Sequence, residues 1–199
     1  MKRRDFFKLG ARKAAEIASH VANEKFAMRG ENWLRPPFAQ PELQFRLACT
    51  QCDKCIEACT YNVLFKLPAR LGRQVADTPA MDLLKRGCHM CGDWPCVEAC
   101  EPRALAPPDQ DDRMPSAAVR LARVWIDTAI CLPYLGPECG ACADACPVEG
   151  ALEWQGGLRP VVNDECCTGC ALCREACILD PKAIKVAAFF PDKEAAEVS

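Results

Sequence analysis

The chain has 199 residues, half of them hydrophobic and 26% charged, with a formal net charge of −2. That length allows one or two ordinary domains, and no window reaches the run of about eighteen apolar residues that a membrane-spanning helix requires. There is no G-x-G-x-x-G fingerprint and no Gly-x4-Gly-Lys-Ser/Thr loop, and only two histidines are available for acid–base work, so neither catalysis by the chain alone nor a nucleic-acid partner is expected.

Charge is uneven from the start. Residues 1–30 carry eight Lys/Arg against three Asp/Glu, a balance of +5, while the rest carry seventeen against twenty-four, a balance of −7. Phe7, Ala14, Ile17, Ala18 and Val21 recur at helical spacing, which predicts a basic amphipathic helical arm over 1–30. Such an arm is either a solvated face or a docking element for an acidic partner or anionic membrane surface. Met1–Gly10, with Arg3 and Arg4, looks like a twin-arginine export motif, which needs an apolar stretch behind it. Residues 11–16 instead hold Arg12, Lys13 and Glu16. A retained arm and cytoplasmic residence are therefore expected, with periplasmic export as the alternative.

Residues 31–48 read as a linker, because Pro36, Pro37 and Pro41 enforce an extended path. The body, 49–190, opens with Cys49, Cys52, Cys55 and Cys59, spaced C-x2-C-x2-C-x3-C. Within the following connection, Thr78 and Pro79 stand like the cap and first residue of a helix running to Lys85. Cys88, Cys91, Cys96 and Cys100 form the second quartet, and residues 101–118, with four prolines and the acidic run Asp109–Asp112, read as an irregular loop. Val119–Asp127 has strand composition. Cys131, Cys139, Cys142 and Cys146 follow. Two short strands within Ala151–Val162 flank Gly156-Gly157 as a hairpin. Cys167, Cys170, Cys173 and Cys177 repeat the spacing of the first quartet. Ala183–Phe190 is a last strand, and 191–199 a polar tail. Ile56–Ala58 and Ala171-Leu172 read as short helical turns. The expected fold is α+β: short strands and helices in two ferredoxin-like dicluster units, plus the arm.

Sixteen of the seventeen cysteines fall in the four quartets. A cubane [4Fe–4S] cluster needs four converging thiolates, and C-x2-C-x2-C-x3-C is the bacterial loop that supplies them. Three cysteines within seven residues cannot all find relaxed disulfide partners, and zinc sites use two well-separated C-x2-C pairs. Four [4Fe–4S] clusters are the expected cofactors, and their removal is expected to leave little independent core.

The fourth cysteine of such a motif ligates the neighbouring cluster. The sequence permits pairing of motifs one with two and three with four, or a nested scheme of one with four and two with three. The shared spacing of motifs one and four favours nesting. Cys177 would then join Cys49, Cys52 and Cys55; Cys59 would join Cys167, Cys170 and Cys173; Cys146 would join Cys88, Cys91 and Cys96; Cys100 would join Cys131, Cys139 and Cys142.

The runs Leu34–Phe38 and Ala48–Cys59, together with Cys88–Cys100, Cys131–Cys142 and Cys167–Cys177, resemble the NapF/NapG/MauM type of polyferredoxin, found with periplasmic nitrate reductase and methylamine-utilisation systems. The motifs also look like those of the four-cluster subunits of molybdopterin oxidoreductases. The resemblance covers about residues 34–188. It implies four [4Fe–4S] clusters and a non-catalytic subunit relaying single electrons to or from a partner redox enzyme, such as a molybdenum or tungsten oxidoreductase. An accessory ferredoxin for maturation of a metalloenzyme is the alternative, and self-association into a conducting chain is a further one.

Four other residues carry weaker signals. Cys166 reads as a buried or free thiol. His89 is either a spacer or a donor to a cluster sulfur. Trp94 is either plain packing or a shield over the second cluster. His20 belongs to the arm and carries no functional signal.

Overall fold

The computed structural model describes residues 33–73, 75–107 and 119–188. The arm, the acidic run Asp109–Asp112 and the tail fall outside these residues. Within them short strands and helical turns follow one another along two stretches, a first unit (33–107) and a second (119–188), with three two-stranded antiparallel sheets in all.

The first unit begins earlier than the proline pattern suggests. Residues 33–48 are stitched into it instead of standing off as a linker: Leu34 bridges Met81 and Ala39 bridges Leu105. Helix α1 (Glu42–Ala48) follows Pro41, with Glu42 in the first turn and Arg46 in the last, both favourable to the helix dipole. It buries Phe45 completely and delivers the chain directly to Cys49. Helix α2 (Lys54–Glu57) leads into strand β1 (Leu64–Lys66), which pairs with β2 (Pro79–Met81) in the register Leu64↔Met81 and Lys66↔Pro79.

The helix expected from Thr78 onward is therefore a strand. Thr78 Oγ1 donates to the Val75 carbonyl at 2.6 Å and accepts from Arg35 at 2.8 Å, so it is not available as a cap. Pro79 heads the strand, where its missing N–H costs least. Helix α3 (Pro95–Glu98) packs against α2.

The second unit pairs β3 (Ala122–Ile126) with β6 (Ile184–Ala188), Val124 opposite Val186. In β3, Ala122 and Val124 are buried while Arg123 and Trp125 face out, the alternation of a half-buried strand. Helix α4 is Leu132–Leu135. The expected hairpin is present as β4 (Leu152–Gln155) and β5 (Arg159–Val162). Gly156 and Gly157 carry the chain round at φ +59° and +72°, a conformation that L side chains resist. Helix α5 is Leu172–Ala176.

The apolar core is larger than the cysteine content suggests. Leu67, Val75 and Ala80, with Trp33, Phe65 and Leu71 against them, form a cluster free of cysteine. Elsewhere the core is threaded by cysteines: Val124 and Ile184 pack with Cys142 and Cys173.

Candidate iron–sulfur sites

Motifs one, two and four share a backbone signature that turns their loops inward. The second spacer after the leading cysteine is left-handed in each: Gln51 at φ +58°, Met90 at +50°, Gly169 at +74°. A second left-handed residue follows, Asp53, Trp94 or Ala171, and each is the residue from which the short helix carrying the third cysteine springs. Non-glycine residues at positive φ cost energy that the surroundings must repay in contacts. Trp94 is held by edge-on contact with Phe38, ring centroids 4.9 Å apart. Motif three, with its long first spacer, lacks this signature.

The loops bring together thiols from two motifs at a time. Cys49, Cys52, Cys55 and Cys100 line one cavity. Cys131, Cys139, Cys142 and Cys177 line a second, and Cys146, Cys167, Cys170 and Cys173 a third. Counting their open mouths, these hold about 340, 360 and 320 Å³ of empty space, alike enough for one repeated occupant. The remaining four thiols also group together: Cys96 lies in the field of Cys88, Cys59 and Cys91.

These groupings differ from the nested scheme. Cys100 sits with motif one and not with Cys131, Cys139 and Cys142; Cys59 sits with motif two and not with motif four. Cys146 meets motif four and Cys177 meets motif three. The fourth cysteines cross between chain neighbours because α2 packs on α3, and because α5 and the turn at Ala143–Ala145 pack together in the second unit.

The fourth cysteines of motifs one and two are held alike. Asn62 and Arg103, three residues beyond Cys59 and Cys100, are left-handed at φ +53° and +55°, and their amides close turns onto the Cys59 and Cys100 carbonyls, each at 3.0 Å. The Val63 amide, four residues beyond Cys59, and the Leu105 amide, five beyond Cys100, donate to Cys59 Sγ and Cys100 Sγ, each at 3.4 Å.

The electrostatics test whether an iron–sulfur group fits. Burial, and then the charges of Cys100, Cys49 and Cys52, push the Cys55 thiol up to about 12. Burial and the charges of Cys88, Cys59 and Cys55 do the same to Cys96, about 12. Burial followed by Cys170, Cys167 and Cys146 takes Cys173 to about 12, and burial followed by Cys131 and Cys177 takes Cys142 to about 11. Cys52, exposed at the rim, is lowered instead by the Lys54 amide and the Thr50 hydroxyl. Crowded, desolvated thiolates repel one another unless a cationic centre stands among them. Among the described residues no group of Cys, His, Asp or Glu is arranged to hold a single metal ion. Rings of four thiols round a cavity suit a multi-atom cluster better than tetrahedral zinc.

Residues outside the rings take other parts. Cys166 does not line the cavity that Cys167 enters. His89 is exposed and stacks flat on Tyr61, centroids 3.4 Å apart. Sequence reasoning missed the left-handed positions and the amide donors; Gly169, Asp53 and Asn62 are residue types that favour positive φ, but nothing in the types of Gln51, Met90, Trp94, Arg103 and Ala171 marks them. No helix among the described residues is long and apolar enough to cross a membrane.

No protein-family model and no solved structure matches the chain. Curated relatives do. The methylamine utilization ferredoxin-type protein MauM of Methylobacillus flagellatus is 36% identical over 161 residues, 77% of this chain and 67% of that protein. The ferredoxin-type protein NapG of Haemophilus influenzae is 35% identical over 205 residues, covering 92% and 71%. The ferredoxin-type protein NapF of Escherichia coli is 30% identical over 157 residues, covering 75% and 82%. With three cavities each lined by four thiols, a fourth group of thiols beside them and this degree of likeness, the chain belongs to the MauM/NapG/NapF group of ferredoxin-type proteins.

Proposed function

We propose that the chain is an electron-transfer subunit holding four [4Fe–4S] clusters and exchanging single electrons with a partner oxidoreductase. The observation that carries this reading is the meeting, around one cavity, of three thiols from one motif and the last thiol of its chain neighbour. The ligand sets are Cys49, Cys52, Cys55 and Cys100; Cys88, Cys91, Cys96 and Cys59; Cys131, Cys139, Cys142 and Cys177; Cys167, Cys170, Cys173 and Cys146. Each bound cluster supplies a one-electron couple at a potential within roughly −700 to +450 mV, tuned by hydrogen bonds and exposure.

The chain's own residues do the rest. The thiols fix position, and the left-handed turns aim them inward. The Val63 and Leu105 amides place positive ends of dipoles on sulfurs that carry negative charge. Phe45 and Leu105 keep water from the first ring, and Pro160 and Ile184 from the third. The basic arm serves as the docking element for an oxidoreductase, for which a molybdenum or tungsten enzyme fits the motif resemblance. The charges at Arg12, Lys13 and Glu16 favour cytoplasmic residence.

Anaerobic purification of the full chain with iron and sulfide analysis tests the proposal. About sixteen irons per chain and an oxidoreductase that co-purifies and reduces the chromophore are expected. Colourless protein, or protein that no partner reduces, would overturn it.

A further inference from the structure

The two units share a core in which Leu121, Ala122, Cys170 and Ala171 pack with residues of the first, and beside it the stretch leading into motif two lies against motif four. The Cys88 amide donates to the Cys170 carbonyl at 2.7 Å. Next to it, the Gly87 amide donates to Glu175 Oε2 at 2.7 Å, and Arg174 Nε reaches the Leu84 carbonyl at 3.2 Å. Gly87 is buried and has no room for a side chain: a Cβ there would lie 2.7 Å from the Leu172 N and Cα. Cys170 and Ala171 count among the buried residues of the first unit's core. The two inner loops are pressed backbone to backbone.

We infer, on the iron–sulfur reading above, that the four sites stand in single file in the order one, two, four, three, and that the Cys88–Cys170 contact is the joint through which the two units exchange electrons. Within the first unit α2 lies on α3, which carries Cys55 toward Cys96. Within the second, Cys142 and Cys173 share one core cluster with Val124 and Ile184. The electrostatic neighbours agree with this: Cys96 feels Cys55, Cys88 feels Cys170, and Cys173 feels Cys142.

Sites one and three are then the two ends of the file, and sites two and four are internal. Chain order would have put site four at an end. Because transfer between centres falls steeply with separation, the shared peptide hydrogen bond is the short step between units, and the fourth site is indispensable to it while the third is not.

Magnetic coupling between reduced clusters reads this order directly. The experiment uses the full-length holoprotein, reduced anaerobically, in two variants: Cys167→Ala with Cys170→Ala, which empties site four, and Cys131→Ala with Cys139→Ala, which empties site three. Loss of site four should leave one coupled pair and one sharp, isolated electron paramagnetic resonance signal. Loss of site three should leave three clusters coupled in a row, with no isolated signal. The reverse pattern overturns the order.

Gly87→Ala serves where the cysteine variants do not fold. In preparations that keep all their iron, it should broaden the signals less than wild type, because the joint is forced apart; unchanged broadening at full iron content overturns the inference. Iron far below about sixteen per chain in the wild-type protein would sink the cluster reading itself, so the two failures are distinguishable.

Discussion

Arg35 grips Glu42 with two prongs, Nε to Oε2 at 2.9 Å and Nη2 to Oε1 at 2.6 Å. The same guanidinium donates to Thr78 Oγ1 and to the Pro79 carbonyl at 2.9 Å, and it lies over the Phe45 ring, 4.6 Å from its centroid. One side chain thus ties the segment before α1, the helix itself and β2 together, directly behind Cys49.

Replacing Arg35 removes a fork that lysine cannot reproduce. Both partners are largely shielded, with 14% and 22% of their side-chain surfaces exposed, so the pair is worth more than a surface bridge. Arg35→Ala should cost about 2–3 kcal/mol through lost charge-assisted bonds and the acceptors left behind, and Arg35→Lys should recover less than half. Urea unfolding followed by loss of the cluster chromophore measures this. Equal midpoints for Arg35→Ala and wild type would remove the anchor role.

Gly169 and Gly140 make a matched pair. A Cβ on Gly169 would lie 2.0 Å from the Ala122 carbonyl oxygen and 2.4 Å from its amide nitrogen, at φ +74°. The motif-four loop lies against the first residue of β3, where the Leu121 amide donates to the Thr168 carbonyl at 2.8 Å. A Cβ on Gly140 meets nothing within 4 Å. Gly169→Ala should lose about four irons, one cubane, whereas Gly140→Ala should keep its full complement. Iron analysis of both proteins decides the matter.

What could be read from residues alone was local. Cysteine spacing marks the loops because the ligands lie within a few residues of one another, and Gly156-Gly157 marks the hairpin because the turn needs positive φ there. The partner of each fourth cysteine was not legible. Shared spacing between motifs one and four reports similar loop shape, not proximity, and proximity is set by α2 lying on α3. Thr78 misled for a related reason, since Arg35, forty-three residues upstream, claims the hydroxyl that would have capped a helix. Nor does a sequence show that Ala171 sits at φ +64°, because alanine has no preference for it.

Double cysteine substitutions separate the proposed pairing of chain neighbours from nesting. Cys55 and Cys100 face one cavity, whereas Cys177 belongs to another. Cys55→Ala with Cys100→Ala should therefore disable one cubane, about four irons. Cys55→Ala with Cys177→Ala should disable two, about eight irons. A nested protein would give the opposite ranking, so iron content of the two variants, each purified without oxygen, chooses between the arrangements.

Removing iron should not unfold the two units equally. The first keeps a core cluster built from Leu67, Val75 and Ala80 and the anchor at Arg35, neither of which needs a cysteine. In the second, two of the four buried members of the core cluster, Cys142 and Cys173, are proposed ligands, so thiol repulsion would enter the core once the metal leaves. Chelation of the reduced protein should therefore free the β4–β5 and β3–β6 amides to exchange with solvent while Leu67 and Met81 keep much of their protection. These two amides donate to the Thr78 and Leu34 carbonyls at 3.0 and 2.7 Å. Hydrogen exchange read by mass spectrometry resolves the segments, and simultaneous loss of protection across residues 33–107 and 119–188 would show that iron holds both units alike.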